Sequence, residues 1–191
     1  MRALSITVFA LALAAAASYY YENLTARPAR AQDTQPSEDQ QVLRGRYLVT
    51  LGGCNDCHTP FKMTESGPRP DMNRMLSGHP EQLKLPPAPK PQGPWIWSGA
   101  ATNTAFAGPW GVTYAANLTP DKNTGLGIWD EAMFIQGIRT GRHFGQGRPI
   151  QPPMPWPAYA RMTDEDLKAV FAYLRSIPAI SNHVPDYEAP Q

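Results

Sequence analysis

Cysteine is scarce in this chain of 191 residues, which contains only Cys54 and Cys57. A structural zinc site usually needs a second pair of ligands at similar spacing, and the sequence offers none. A thioredoxin-like dithiol usually lies at the strand-to-helix junction of a βαβ unit, and the flanking sequence lacks that pattern too. The scarcity of cysteine argues against a zinc site and against a redox dithiol. A structural or redox disulfide between Cys54 and Cys57 stays open as an alternative use of the pair.

An excess of charge of either sign is also missing. The chain carries 17 basic and 16 acidic residues, and it stays close to neutral when residues 1 to 31 are left out. Such a balance supplies neither the basic stripe of a nucleic-acid-binding protein nor an acidic block that would steer a basic partner. We therefore expect no nucleic acid partner.

Long apolar runs are absent except near the amino terminus. Residues 3 to 17 are rich in alanine and leucine and follow Arg2, which is the pattern of a signal peptide. A membrane-spanning helix needs about 20 apolar residues, so this run is short for one. A small-x-small sequence at residues 29 to 31 predicts cleavage before Gln32, with residues 1 to 31 as the signal peptide.

Two alternatives to this cleavage stay open. The cut could fall earlier, after Ala17. Without any cut, the apolar run would anchor the protein to the membrane, with the tyrosines at residues 19 to 21 forming an interfacial belt. In each case the protein is exported, and we predict a periplasmic location and a flexible lead-in over residues 32 to 37.

Both cysteines belong to the pentapeptide Cys-Asn-Asp-Cys-His, which ends at His58. Cys-x-x-Cys-His is the attachment sequence for a covalent c-type haem. On a helix, positions i and i+3 share one face, so Cys54 and Cys57 can both form thioether bonds to one side of a porphyrin. His58 can then be the proximal iron ligand. One such sequence predicts one covalently bound haem c.

Apolar residues recur at intervals of three and four between residues 38 and 53, which predicts an amphipathic helix leading into the haem motif. The members of this apolar set are Val42, Leu43, Tyr47, Leu48 and Leu51. A second helix is predicted from a cap at Asp130 to Thr140, and a third from a cap at Thr163 to a stop at Pro178.

A helix that leads straight into Cys-x-x-Cys-His resembles the start of a class I cytochrome c, so we expect an all-α cytochrome c fold around one haem over residues 38 to 180, with a C-terminal tail at 181 to 191. Between the predicted helices lies a long segment rich in proline and tryptophan, which we interpret as a loop insertion over residues 59 to 114. Proline prevents a long helix there, but tryptophan indicates ordered packing. Short strands are expected around residues 95 to 97 and 111 to 114. The segment either wraps one haem edge or forms a docking surface for a redox partner.

The iron of an electron carrier usually has a second axial ligand, and methionine opposite histidine raises the reduction potential. Met154 is the predicted ligand, because the surrounding prolines stiffen its loop just ahead of the last helix. His143 is the alternative. The candidate partners for haem propionates, chosen by their chemistry, are Arg142, Arg148, Asn117, Trp95, Trp110 and Trp156.

The chain resembles the bacterial c-type cytochromes that serve periplasmic dehydrogenases, such as the cytochrome subunits of alcohol and gluconate dehydrogenases. The matching motifs are Gly45-Arg46-Tyr47-Leu48, Cys54 to His58, Asn117-Leu118-Thr119-Pro120-Asp121, Gly125-Leu126-Gly127, Pro153-Met154-Pro155-x-Pro157, Thr163-Asp164-Glu165-Asp166-Leu167 and Ala172-Tyr173-Leu174-Arg175-Ser176. The resemblance implies that Met154 is the distal ligand. The family's dehydrogenase subunits often carry three haem motifs, whereas this chain has one.

These features predict a periplasmic monohaem cytochrome that transfers single electrons and is not itself an enzyme. The resemblance implies that it works between a dehydrogenase and the respiratory chain, with a terminal oxidase or another cytochrome as acceptor. The first alternative is a catalytic or gas-binding haem protein whose sixth position is open or labile. The second is a structural subunit whose haem stabilises a larger complex.

Overall fold

The structure is a computed structural model, and it describes residues 36–90 and 93–190 together with Ser18 and Tyr21. Apart from Ser18 and Tyr21, the predicted signal peptide lies outside these residues, as does most of the lead-in. The helices are α1 (Glu38–Leu51), α2 (Cys54–His58), α3 (Glu131–Thr140), α4 (Trp156–Tyr159) and α5 (Asp164–Ser176). The strands are β1 (Phe61–Thr64), β2 (Gly67–Pro70), β3 (Ser98–Gly99), β4 (Ala105–Gly108) and β5 (Gly111–Tyr114). Within the described ranges, no helix has the length and apolar character needed to cross a membrane.

The crossing of α1 and α5 forms the centre of the fold. Gly45 makes it possible, since a Cβ at this position would lie 1.9 Å from the carbonyl oxygen of Ala169. Arg44 of α1 and Asp166 of α5 form a partly exposed ion pair across the crossing, at 2.9 Å. The core beneath it consists of Val49, Leu76, Leu126, Phe134, Leu167, Phe171, Leu174 and Ile177.

The buried face of α1 differs from the one that its apolar pattern predicts. Gly45 and Val49 are its buried residues, whereas Leu43, Tyr47 and Leu51 are 64%, 55% and 69% exposed. The prediction was wrong for these three positions because α5 approaches along the glycine, where the two backbones can come closest. The helix itself, with its capping box between Ser37 and Gln40, is confirmed.

The other two predicted helices are confirmed. Asp130 caps α3 by accepting a hydrogen bond from the backbone N–H of Met133 at 2.7 Å, and Gly141 ends it in the left-handed conformation. Thr163 caps α5 by accepting from the N–H of Asp166 at 3.1 Å. Both helices contribute to the core through one apolar face.

The all-α class is not confirmed, since the described residues include five short strands, all between residues 61 and 114. Strands β1 and β2 form one antiparallel hairpin, and β3, β4 and β5 form a second antiparallel sheet in that order. The interpretation of this segment as a loop insertion is likewise not confirmed. The expected strand at 111 to 114 is present, but the one at 95 to 97 is not.

The physical reason for these strands is hairpin geometry. Short runs of residues between turns can pair locally even where proline excludes helix. Gly67 and Gly111, both with positive φ, permit the tight turns. Trp97 packs edge-on against Phe106 of β4 at 5.9 Å, while Trp95 remains 76% exposed.

Candidate functional site

Helix α2 carries the haem motif and begins at a tight turn. Gly53 precedes it in the left-handed conformation, with φ of +64°, a region that glycine enters without strain. The turn lets α1 end at Leu51 and α2 start at Cys54, with only two residues between them. Cys54, Cys57 and His58 all line one cavity of about 350 Å³ with a mostly apolar wall.

No disulfide joins Cys54 and Cys57. Burial raises the pKa of Cys54 to about 11, and burial followed by the charge of Asp56 also raises the pKa of Cys57. Cysteine pairs that exchange disulfides work through a thiol of depressed pKa. These thiols have the opposite electrostatic environment, which argues against the dithiol reading.

The orientation of His58 is fixed by one hydrogen bond. Its Nδ1 lies 2.7 Å from the carbonyl oxygen of Ala116, and because a carbonyl only accepts, Nδ1 carries the proton. The lone pair is therefore on Nε2, the nitrogen that a metal ion would bind. Burial lowers the pKa of His58, so the neutral, ligating form is favoured.

The Ala116 carbonyl is held in place by a backbone contact that requires glycine. Gly78 donates to the carbonyl oxygen of His58 at 2.8 Å, and His79 donates to that of Ala115 at 2.9 Å. A Cβ at Gly78 would lie 2.4 Å from the Ala115 carbonyl oxygen. The close approach of residues 78 and 79 to the motif and to Ala115 therefore sets the position of the His58 imidazole.

Met154 lines the same cavity as the three motif residues. Its loop passes into α4, where the hydroxyl of Tyr159 donates to the carbonyl oxygen of Gly52 at 2.6 Å. This bond joins the loop to the turn that starts the motif. The structure thus brings Met154 to the motif across about a hundred residues of sequence.

His143 also lines the cavity. Its ring packs edge-on against Trp129 at 5.0 Å and against Phe144 at 4.5 Å. Burial, and then the charge of Arg148, lower its pKa. The ring is thus one member of an aromatic cluster on the wall.

Two of the six candidates for propionate binding, Asn117 and Arg148, line the cavity; the other four are absent from its wall. The Asn117 amide already donates to Thr124 and Ile180 and accepts from Thr119. Arg148 is the one lysine or arginine among the described lining residues. It is therefore the better of the two as a partner for a carboxylate.

Sequence reasoning missed three parts of this site: the Ala116 carbonyl, the Tyr159 hydroxyl and tail residues 183 to 186, which also line the cavity. Each reaches the motif through a contact between distant parts of the chain, and no local pattern marks it. His183, to which the sequence assigned no role, is among them.

The residues present fit a c-type haem. Two thiols, an imidazole with a free Nε2 and a thioether line one apolar cavity. Over the part of the chain that the structure describes, no cluster of three or more His, Cys, Asp or Glu side chains is arranged for a metal ion.

A family model described as Cytochrome c matches residues 42–178. The chain belongs to the cytochrome c family. Membership implies a covalently bound haem c, and the match includes both the pentapeptide and the Met154 loop.

Relatives of this cytochrome are named as subunits of dehydrogenases. It is 31% identical over 137 residues to the gluconate 2-dehydrogenase cytochrome c subunit of Pantoea cypripedii, covering 72% of this chain and 23% of the relative. It is 28% identical over 149 residues to the fructose dehydrogenase cytochrome subunit of Gluconobacter japonicus, covering 76% and 24%. With the alcohol dehydrogenase (quinone) cytochrome c subunit of Gluconobacter oxydans it shares 26% identity over 163 residues, covering 84% and 27%. The cytochrome thus spans about a quarter of the length of these relatives.

Proposed function

We propose that this chain is a periplasmic monohaem cytochrome c that carries single electrons between a dehydrogenase and the respiratory chain. Cys54 and Cys57 attach the haem, and His58 and Met154 are its axial ligands. The observation that carries the proposal is that all four side chains line one apolar cavity. A haem c bound there supplies one-electron chemistry at its iron.

The surrounding residues hold the two proposed iron ligands in place. The Ala116 carbonyl keeps the proton of His58 on Nδ1 and so leaves the lone pair on Nε2, and the Tyr159 bond to Gly52 keeps the Met154 loop against the motif. Iron ligands that are held in place in this way would suit electron transfer, because little rearrangement would then accompany a change of charge. This arrangement supports a carrier rather than an enzyme.

The location and partners rest on the sequence and the relatives. The predicted signal peptide over residues 1 to 31 supports export, and an uncleaved segment would add membrane association. The relatives' names support a dehydrogenase as electron donor. A terminal oxidase or another cytochrome is the proposed acceptor.

The haem proposal is tested by producing the full chain in a host competent for cytochrome maturation and recording its intact mass and absorption spectrum. We expect the added mass of one haem, a c-type spectrum and cleavage before Gln32. A Cys54→Ala/Cys57→Ala double variant serves as the control and should carry no covalent haem. A colourless wild-type product without the added mass would overturn the proposal.

The donor proposal needs the native host. Periplasm and membranes from cells that hold the tagged chain are supplied with gluconate, fructose or ethanol, and haem reduction is followed by absorbance. Reduction by one of these substrates is expected. If chemical reductants reduce the haem but none of the substrates does, the donor belongs to another class.

The alternative of an open sixth position makes a different prediction. Carbon monoxide would then bind the reduced wild-type protein readily, whereas a bound Met154 thioether should keep it out.

A further inference from the structure

The chain crosses back over the cavity after α5 ends. Residues 183 to 186, His-Val-Pro-Asp, line the same cavity as the haem motif and Met154. We call this segment the strap. Val184 and Pro185 are half-buried, whereas His183 and Asp186 are exposed. The strap therefore has an apolar middle against the cavity and polar ends toward solvent.

Asn182 anchors the start of the strap and is 1% exposed. Its amide Nδ2 donates to the carbonyl oxygens of Ser77 at 2.7 Å and His79 at 2.8 Å. Its Oδ1 accepts from Arg74 and from the backbone N–H of Glu81, both at 3.0 Å. Both N–H groups and both lone pairs of the carboxamide are used, so this end is held from two directions.

Glu188 anchors the other end on strand β5. Its backbone pairs with Val112 through two hydrogen bonds of 2.8 and 3.0 Å. Its carboxylate accepts from the hydroxyl of Tyr114, itself a lining residue, at 2.6 Å. A Cβ at Gly111 would lie 2.0 Å from the Glu188 carbonyl oxygen, so the glycine is what allows the tail to dock.

Two fixed ends and a proline leave the strap little freedom. Proline restricts its own φ and the conformation of its predecessor, and Pro185 here restricts Val184. A short segment held in this way forms a stable wall rather than a mobile tail. Its apolar middle contacts space that the motif and Met154 also line.

We propose that the strap is the part of the haem pocket wall that keeps water and small ligands out, and that it thereby raises the reduction potential. This inference rests on the proposed function. Water near the iron stabilises the ferric state, which carries more positive charge, so exclusion of water favours the ferrous state. Solvent exposure is one of the factors that set haem potentials.

The test replaces the apolar middle with glycine in the full haem-bound chain, as Val184→Gly/Pro185→Gly. Its matched control is Ala189→Gly/Pro190→Gly, which changes two exposed residues outside the described cavity wall. Midpoint potentials are measured by spectroelectrochemical titration. At the wild-type midpoint, the ferric-to-ferrous ratio of the strap variant should rise by about threefold or more, and that of the control should stay unchanged.

A second measurement reports access to the pocket directly. Imidazole should bind the ferric strap variant about tenfold faster than it binds wild type or the control, since the wall is open. An unchanged potential together with an unchanged imidazole rate would overturn the inference.

A milder variant covers the case in which the double glycine variant fails to fold. Val184→Thr keeps the size and branching of the side chain but places a hydroxyl on the wall, so its potential should fall while its haem spectrum stays normal. An unchanged potential in this variant would also overturn the inference. Wild-type protein without haem would instead overturn the proposed function, so the two failures are distinguishable.

Discussion

The two proposed axial ligands are held by different kinds of residue-level contact. His58 is oriented by a hydrogen bond from its own ring to the Ala116 carbonyl. Met154 is positioned through its backbone, whose N–H donates to the Gln151 carbonyl oxygen at 3.3 Å, and through the prolines on either side. A thioether is a weak ligand, so its loop must do the positioning that a hydrogen bond does for the imidazole.

At the residue scale, replacement of Met154 by alanine tests whether Met154 is the distal iron ligand. Methionine opposite histidine raises the potential, so Met154→Ala should lower it by about 0.1 V or more, within the roughly 0.8 V that axial ligands span. The vacated position should also admit carbon monoxide in the reduced state. Potentiometric titration and carbon monoxide difference spectra measure the two effects.

Met63→Ala is the matched control, because this side chain is 75% exposed and lies outside the described cavity wall. Its potential should equal that of wild type. An unchanged spectrum and potential in Met154→Ala would mean that another residue, with His143 as the first candidate, is the distal ligand.

At the scale of elements, the sequence predicts helix ends better than helix faces. The caps Asp130 and Thr163 act on backbone groups three residues away, so their effect is local and was predicted correctly. The packed face of α1 depends on where α5 lies, and no pattern within α1 records that. The glycine at position 45, rather than the leucines, marks the contact.

The α1–α5 crossing therefore leads to a stability prediction. Gly45→Ala places a methyl group against the backbone of Ala169 and should force the helices apart. We expect the free energy of unfolding of the haem-bound protein to fall by about 3 kcal/mol, the upper part of the usual overpacking range. Denaturant titration followed by far-ultraviolet circular dichroism measures the change.

The control for this variant is Leu43→Ala on the same helix, where the side chain is 64% exposed. Its effect should stay within about 0.5 kcal/mol, as for most surface substitutions. Equal effects of the two variants would contradict the proposed role of Gly45.

At the scale of the whole molecule, one buried histidine joins distant segments of the chain. His79 is fully buried. Its Nδ1 is 2.9 Å from the Thr104 hydroxyl, and its Nε2 is 3.3 Å from the Leu83 carbonyl oxygen. The carbonyl requires a proton on Nε2, so Nδ1 accepts from the hydroxyl.

The burial of His79 predicts that the protein loses stability in mild acid. Burial, reinforced by the charge of Arg74, lowers the pKa of His79 below its ordinary value of 6.5. The unfolded chain therefore binds more protons than the folded chain as the pH falls through about 6.5, and the free energy of unfolding decreases. Denaturant titrations at pH values between about 7.5 and 5.5 measure this slope.

In His79→Gln the slope should be smaller, because one of the buried imidazoles is removed; His143, whose pKa burial also lowers, still contributes to the slope. A wild-type free energy that is constant or rises toward acid would contradict the prediction. So would an identical slope in the variant.

The residue types of the proposed haem site and the local structure around them can be read from the sequence. The pentapeptide at 54 to 58, the proline loop at Met154 and the capped helices are each written in contiguous residues, so their physical causes are local. Three features follow only from the three-dimensional arrangement: the Ala116 carbonyl selects the tautomer of His58, Gly45 permits the helix crossing, and tail residues 183 to 186 line the cavity. These features arise from contacts between residues far apart in the chain. The energy of such a contact depends on close approach in three dimensions, and no periodic pattern in the sequence records it.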